Sequence, residues 1–329
     1  MLIELGILIA GLSLLLGGGD LLVRGASALA RNLGVSSLII GLTVVAFGTS
    51  APELAINLMA AIKGNSDLSF GNIIGSNIAN IGLIIGIAAL AKPLAIRSQV
   101  ITREIPMLLL ATVLTVVLGS DFIFSKLPNY FERSDGIVFL LIFCIFIYYT
   151  VNTVIRKRNS DALLTQATGY SGKFQLKKTF KNITYLILGF LCLTIGGKIS
   201  VDSSVKIAEF LNVPQVIIGL TLIAVGTSLP ELATSIIATY KDQADIAVGN
   251  IVGSNIFNLL LINGLCSTVH PIPVPSEGGI YDLAMMTILT IILLPISITD
   301  QRRIVRWEGL LLLVCYVSYT VWRISGHSI

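Results

Sequence analysis

Residues 41–80 and 219–258 are nearly the same peptide: they align without a gap at an offset of 178 residues, with 22 of 40 positions identical. The first copy reads GLTVVAFGTSAPELA and then GNIIGSNIAN; the second reads GLTLIAVGTSLPELA and then GNIVGSNIFN. This is an internal duplication, so the fold has to accommodate two equivalent halves. Each copy also carries one acid, Glu53 or Glu231, inside an apolar run. An acid at membrane depth is expensive and marks an ion or proton pathway.

The runs are apolar because the whole chain is. Hydrophobic residues make up 54% and charged residues 12%, with a mean hydropathy of +0.89. A water-facing surface over 329 residues needs more charge than that, which excludes a soluble domain and leaves a polytopic, all-α membrane protein. Spans of about 20 apolar residues are predicted at 3–23, 37–62, 70–91, 104–119, 134–155, 182–200, 214–240, 247–267, 280–298 and 304–324, five in each half. The first lacks a basic leader and carries Glu4, so it reads as a retained helix rather than a signal peptide. The chain divides into a first five-helix repeat, 1–155, a polar linker, 156–181, and a second repeat, 182–329.

Basic residues give an orientation. With the N-terminus outside, 16 of the 22 Lys and Arg fall on inside segments, seven of them between Arg156 and Lys181. The positive-inside rule therefore places both termini outside the cell membrane and the central loop in the cytoplasm. Five spans per half make the second copy enter from the opposite side, so the copies run antiparallel. Inverted repeats of this kind place a transport site at their interface near the midplane. The net charge of +4 is mostly loop Lys and Arg and does not point to nucleic acid.

Pro52 and Pro230 lack a backbone N–H and crowd the carbonyls of Gly48 and Gly226, so each helix is expected to kink or open there. The loosened carbonyls between Ala46 and Thr49, and between Ala224 and Thr227, then become oxygen donors beside Thr49, Ser50 and Glu53, or Thr227, Ser228 and Glu231. One span later, Ser76 and Asn80, or Ser254 and Asn258, share a helical face at i and i+4. Asn72, Asn77, Asn250 and Asn255 are further polar candidates nearby. A donor set made only of oxygen suits calcium, and its carbonyls and hydroxyls also suit sodium; thiolate- and imidazole-preferring metals are disfavoured. A purely structural ion pair for the glutamates lacks a partner, because no Lys or Arg occupies the central turns of any predicted span. Cys144, Cys192, Cys266 and Cys315 stand singly with no metal or redox spacing. No paired His, Ser–Lys or Asp–Asp constellation supports an intramembrane enzyme. Gly71 with Gly75 and Gly249 with Gly253 form small-xxx-small patterns for close helix approach, and the Gly17–Gly19 run and Gly196–Gly197 lie where the first helix of each half would slide or bend over the core.

With GTSAPEL and GTSLPEL each followed by its GNI-GSNI segment, the chain resembles the sodium/calcium exchanger family of the cation/calcium antiporter superfamily, prokaryotic type. The resemblance implies ten transmembrane helices in two inverted five-helix repeats and export of calcium against sodium entry by alternating access. By position it implies ion ligands at Ala46, Thr49, Ser50, Glu53, Ser76 and Asn80, and at Ala224, Thr227, Ser228, Glu231, Ser254 and Asn258. Calcium would sit between Glu53 and Glu231 with the carbonyls of Thr49 and Thr227, and the other groups would help to form sodium sites. In one departure, some relatives carry aspartate where this chain has Asn258, which bears on sodium number, potassium dependence and proton coupling but leaves calcium two glutamates. The expected partners are the two ions and the bilayer, with no cofactor and no obligate protein partner. Proton- or potassium-coupled exchange in the same fold is the nearest alternative, and a passive cation channel is an alternative of another class.

Overall fold

The computed structural model describes residues 2–64, 67–121, 128–168, 176–211 and 224–325. Twelve helices organise them: α1 (Leu2–Leu33), α2 (Ser37–Thr49), α3 (Ala51–Ile62), α4 (Leu68–Ala91), α5 (Val100–Leu118), α6 (Arg133–Thr168), α7 (Leu176–Phe210), α8 (Ala224–Thr227), α9 (Leu229–Tyr240), α10 (Ala244–Val269), α11 (Gly279–Ile296) and α12 (Arg306–Ser325). Among the described residues seven of these, α1, α4, α5, α6, α7, α10 and α11, are long and apolar enough to cross a membrane, and the bent pair α2–α3 makes an eighth. The expected seventh span, 214–240, lies partly outside the described residues. The expected tenth corresponds to α12, whose 20 residues include Arg306, Glu308 and Arg323 and fall short of the same apolarity.

Several helices outrun the predicted spans. α1 continues to Leu33, α6 to Thr168 and α7 from Leu176 to Phe210, so the described parts of the linker are helical. Hydropathy marks only the stretch that lipid surrounds, whereas backbone hydrogen bonding carries the helix on into polar surroundings.

Burial separates an inner from an outer set. In the apolar windows of α4 and α10, 78% and 89% of residues are buried; in α1 and α7 the share is 33% each. α4 and α10 therefore form the centre, and α1 and α7 lie against one side of it. Their own contact is very close. A Cβ at Gly18 would stand 2.9 Å from the carbonyl oxygen of Gly189, and one at Gly196 would stand 2.9 Å from that of Gly11. Glycines at these crossings let the two backbones touch, as small residues do between membrane helices.

Glycine packing also joins the halves at the centre. A Cβ at Gly249 would meet the Leu38 carbonyl at 2.8 Å, and one at Gly253 the Leu42 carbonyl at 2.7 Å. The expected close approach thus holds for the second small-xxx-small pair. Gly71 and Gly75 show no such neighbour among the described residues, and residues 216 and 220, which the offset makes equivalent to Leu38 and Leu42, lie outside them.

Two short antiparallel ribbons clasp the halves. β1 (Leu94–Ala95), between α4 and α5, pairs with β4 (Arg303–Ile304), between α11 and α12. β2 (Tyr130–Phe131), between α5 and α6, pairs with β3 (Ile272–Pro273), between α10 and α11. The ribbons sit at opposite ends of α5, and β3 lies at the 178-residue offset from β1.

Candidate functional site

Both proline breaks occur. Ser50 leaves helical geometry (φ −86°, ψ 4°) between α2 and α3, and Ser228 does so (φ −89°, ψ 5°) between α8 and α9. Pro52 and Pro230 each lie in the first turn of the following helix, where a missing N–H is harmless. α2 and α3 are bent by 46° at the break. The notches are filled from outside: a side chain at Gly48 would run into the Phe190 ring, and one at Gly226 into Val201, both on α7.

A second irregularity was invisible in the sequence. The backbone is π-helical over Gly41–Val45, one α-helical turn before the first break, and again over Asn80–Ile85 and Phe257–Ile262. The last two contain Asn80 and Asn258. A π-turn changes the rotation of the helix beyond it and occurs often at functional sites. No residue type or periodicity announces one.

The breaks and π-turns bring residues of both halves together. Ser50 Oγ donates to Glu231 Oε1 (3.0 Å), and Ser254 Oγ reaches the same oxygen at 3.4 Å. Thr49 Oγ1 donates to Asn250 Oδ1 (3.0 Å) and lies 3.5 Å from Ser254 Oγ. Asn80 Nδ2 donates to Asn255 Oδ1 (2.9 Å), and Asn255 Nδ2 to the Asn77 carbonyl (3.4 Å). Glu53 and Glu231 are electrostatic neighbours. Thr49, Ser50, Glu53, Ser76, Asn80, Ser228, Glu231, Ser254 and Asn258 are all at most 3% exposed, so bulk water does not satisfy them. Ala46 is buried and Thr227 half-buried; the side chain of Ala224 lies outside the described residues. Ser76, which donates to Asn72 Oδ1 at 3.5 Å, sits one turn before Asn80 on α4.

Sequence reasoning missed the supports beneath the site. Asn57 Nδ2 donates to the Glu53 carbonyl (2.7 Å), and Ser235 Oγ accepts from Asn250 Nδ2 (3.1 Å). Asn57 and Ser235 occupy equivalent positions, each four residues after a glutamate, so the i+4 spacing was the available signal.

Of the buried side-chain atoms without a hydrogen-bond partner among the described residues, five belong to the predicted ligand set: Glu53 Oε2, Glu231 Oε2, Asn80 Oδ1, Asn258 Oδ1 and Ser228 Oγ. Four of the five are carboxylate or amide oxygens, able only to accept or to ligate. A buried oxygen without a partner forfeits about 1–3 kcal/mol, and a cation resolves several such deficits at once. Among the described residues no group of three or more His, Cys, Asp and Glu exists. A bound cation would therefore meet two carboxylates among mostly neutral oxygens, which fits sodium and calcium.

Comparison with known proteins points to one family. The family model described as sodium/calcium exchanger protein matches residues 3–152 and 181–325. The sodium/calcium exchanger MaX1 of Methanosarcina acetivorans is 37% identical over 315 residues, covering 88% of this chain and 89% of MaX1. The putative antiporter CaxA of Alkalimonas amylolytica is 38% identical over 290 residues, covering 87% and 88%. Among solved structures, the sodium-calcium exchanger NCX_Mj soaked with sodium and strontium superposes with a TM-score of 0.81 at 31% identity, over 98% of this chain and 99% of that one.

Proposed function

This chain belongs to the sodium/calcium exchanger family, and on that footing we propose that it is a secondary antiporter that exports calcium in exchange for sodium by alternating access. It is a multi-pass membrane protein of a transporter family. The reading is supported above all by the buried, partnerless oxygens of Glu53, Glu231, Asn80 and Asn258, beside hydrogen bonds that join Ser50 to Glu231 and Asn80 to Asn255 across the two halves.

Calcium neutralises the two glutamates, and sodium ions compete for the same carboxylates with help from the hydroxyls and carbonyls around them. The proposed ligands are Ala46, Thr49, Ser50, Glu53, Ser76 and Asn80 with Ala224, Thr227, Ser228, Glu231, Ser254 and Asn258. Competition becomes exchange if the unloaded site does not reorient. Two unit charges about 4 Å apart repel by about 4 kcal/mol at an effective dielectric near 20. Such repulsion holds the empty carrier back to the extent that it grows as the site occludes, and each 1.4 kcal/mol of that growth is about a factor of ten in rate.

The architecture we infer is two inverted five-helix repeats, 1–155 and 182–329, joined by the linker 156–181, with both termini outside and the linker cytoplasmic. It is supported by the duplication, by the clasping ribbons and by the distribution of Lys and Arg. α1 and α7 then act as one body, held together by glycine contacts, that moves across the core and uncovers the site from one side or the other.

Calcium titration of the purified protein tests the site without requiring transport. Wild type should bind calcium in a manner that sodium displaces, and Glu53→Gln should lose at least about two orders of magnitude in affinity, in line with removal of a charged buried partner. Undiminished calcium binding by Glu53→Gln would place the site elsewhere.

A further inference from the structure

At one end of the α1–α7 pair the structure forms two clefts on the flanks of α1. One, of about 550 Å³, is lined by Arg24, Arg31 and Asn32 of α1 and Lys181, Asn182 and Tyr185 of α7. The other, of about 350 Å³, shares Arg24 and Arg31, adds Ser27 of α1, and is closed by Lys241 and Gln243 from the core side. Four cations thus face a narrow region in which the acid that reaches them among the described residues is Asp20, paired with Arg24 at 2.7 Å and with Lys241. Arg31 and Lys181 have no acidic partner among the described residues, and the Lys181 ammonium lies 5.5 Å from the centre of the Tyr185 ring. Asn182 is buried at the cleft floor, and Asn32 is tied to Thr179 across the helix pair. The two asparagines are thus held between the helices, while the side chains of Arg24, Arg31 and Lys181 remain exposed and open to a ligand.

The location matters as much as the charge. α1 has 32 residues and is about 48 Å long at about 1.5 Å per residue, well beyond the roughly 30 Å of hydrocarbon. Arg24 and Arg31 follow the apolar run and so stand at headgroup depth.

The duplication supplies the comparison. At the 178-residue offset Gly11 and Gly18 correspond to Gly189 and Gly196, so the two helices are equivalent; yet Arg24 corresponds to Asp202, Arg31 to Glu209 and Asn182 to Glu4. The positive cluster was not copied with the fold. At the other end the equivalent places carry Asp202, Glu209 and Glu4, and the last is paired with Lys206 at 3.3 Å.

We propose that these clefts bind a phosphate-ester oxyanion, that of an anionic phospholipid headgroup, between Arg31 of α1 and Lys181 of α7. Guanidinium and ammonium groups at a membrane edge suit that chemistry, and basic pockets between spans hold such headgroups elsewhere. A headgroup there touches both members of the helix pair, and through the second cleft it adjoins Lys241 of the core. The inference requires that the chain sits in a bilayer but not that it exchanges any particular ion.

Native mass spectrometry of the purified, delipidated full chain with added phosphatidylglycerol or phosphatidylcholine tests it. Wild type should retain phosphatidylglycerol preferentially, and Arg31→Gln with Lys181→Gln should reduce that retention about thirtyfold. Arg31→Lys should preserve most of it, and Arg306→Gln, which removes an exposed cation elsewhere, should not change it. Thermal stabilisation by millimolar inorganic phosphate, lost in the same double variant, would keep the oxyanion site but assign it a soluble source. No preference for the anionic lipid together with no phosphate effect would overturn the proposal, as would equal loss in Arg306→Gln.

Discussion

At the scale of single residues, the decisive pattern is an excess of acceptors. Glu53, Glu231, Asn80 and Asn258 each present a buried oxygen without a donor, while the hydroxyl of Ser50 and the amide of Asn80 already bridge the two halves. Glu53→Gln and Glu231→Gln change little in shape but remove a charge, so each should abolish sodium-driven calcium flux while leaving the size-exclusion profile unchanged. Asn258→Asp adds a third acid to the proposed ligand set. Its pH–flux profile should gain a protonation step that wild type lacks, and superimposable profiles would show that position 258 does not face the ions. Most of this site was legible in the sequence because duplication marks the same residues twice. Asn57 and Ser235 escaped notice because they act through backbone and amide groups, and a polar residue one turn from an acid has many ordinary explanations.

Among the helices and strands, legibility followed mechanism. Proline has an unavoidable effect on hydrogen bonding, so the breaks at Ser50 and Ser228 were foreseeable from Pro52 and Pro230. No residue pattern announces the π-turns at Asn80–Ile85 and Phe257–Ile262, and the two-residue ribbons are too short to carry an alternating pattern. Span ends were misjudged where helices such as α6 continue beyond the apolar stretch. The α1–α7 seam yields a sharp contrast between neighbouring glycines. A Cβ at Gly18 would lie 2.8 Å from the Leu193 nitrogen, whereas one at Gly17 meets nothing within 4 Å. Gly18→Ala should therefore destabilise by about 1–3 kcal/mol through overpacking, and Gly17→Ala should stabilise by up to about 1 kcal/mol through helix propensity. Thermal unfolding midpoints in detergent read both; equal shifts would mean that the seam is not as close as described. A chemical crosslink between cysteines at Gly19 and Ile237, which adjoin across α1 and α9, should stop transport and spare calcium binding. Undiminished flux in the crosslinked protein would exclude movement of α1 over the core.

For the whole molecule, a duplicated sequence folds into two halves that pack against each other at the centre. The membrane character followed from composition, and the pairing of halves from the 178-residue offset. The asymmetry between the ends of α1 and α7 could not be read that way, because it appears only once Arg24 and Arg31 are set beside Lys181 in space. Orientation is testable directly: in a variant without the four natural cysteines, a cysteine at Lys173 should react with an impermeant reagent only from the cytoplasmic side, and one at Lys63 only from outside. The reverse pattern would invert the topology. The central claim is coupling. Calcium uptake should be measured in proteoliposomes with an outward sodium gradient and a protonophore present, and separately with a pH or potassium gradient and no protonophore, for wild type and Glu53→Gln. Uphill accumulation by wild type, absent in Glu53→Gln and absent when a pH or potassium gradient replaces sodium, is the predicted result. Calcium that only equilibrates, or uptake that needs the pH gradient, would contradict sodium/calcium exchange at Glu53 and Glu231.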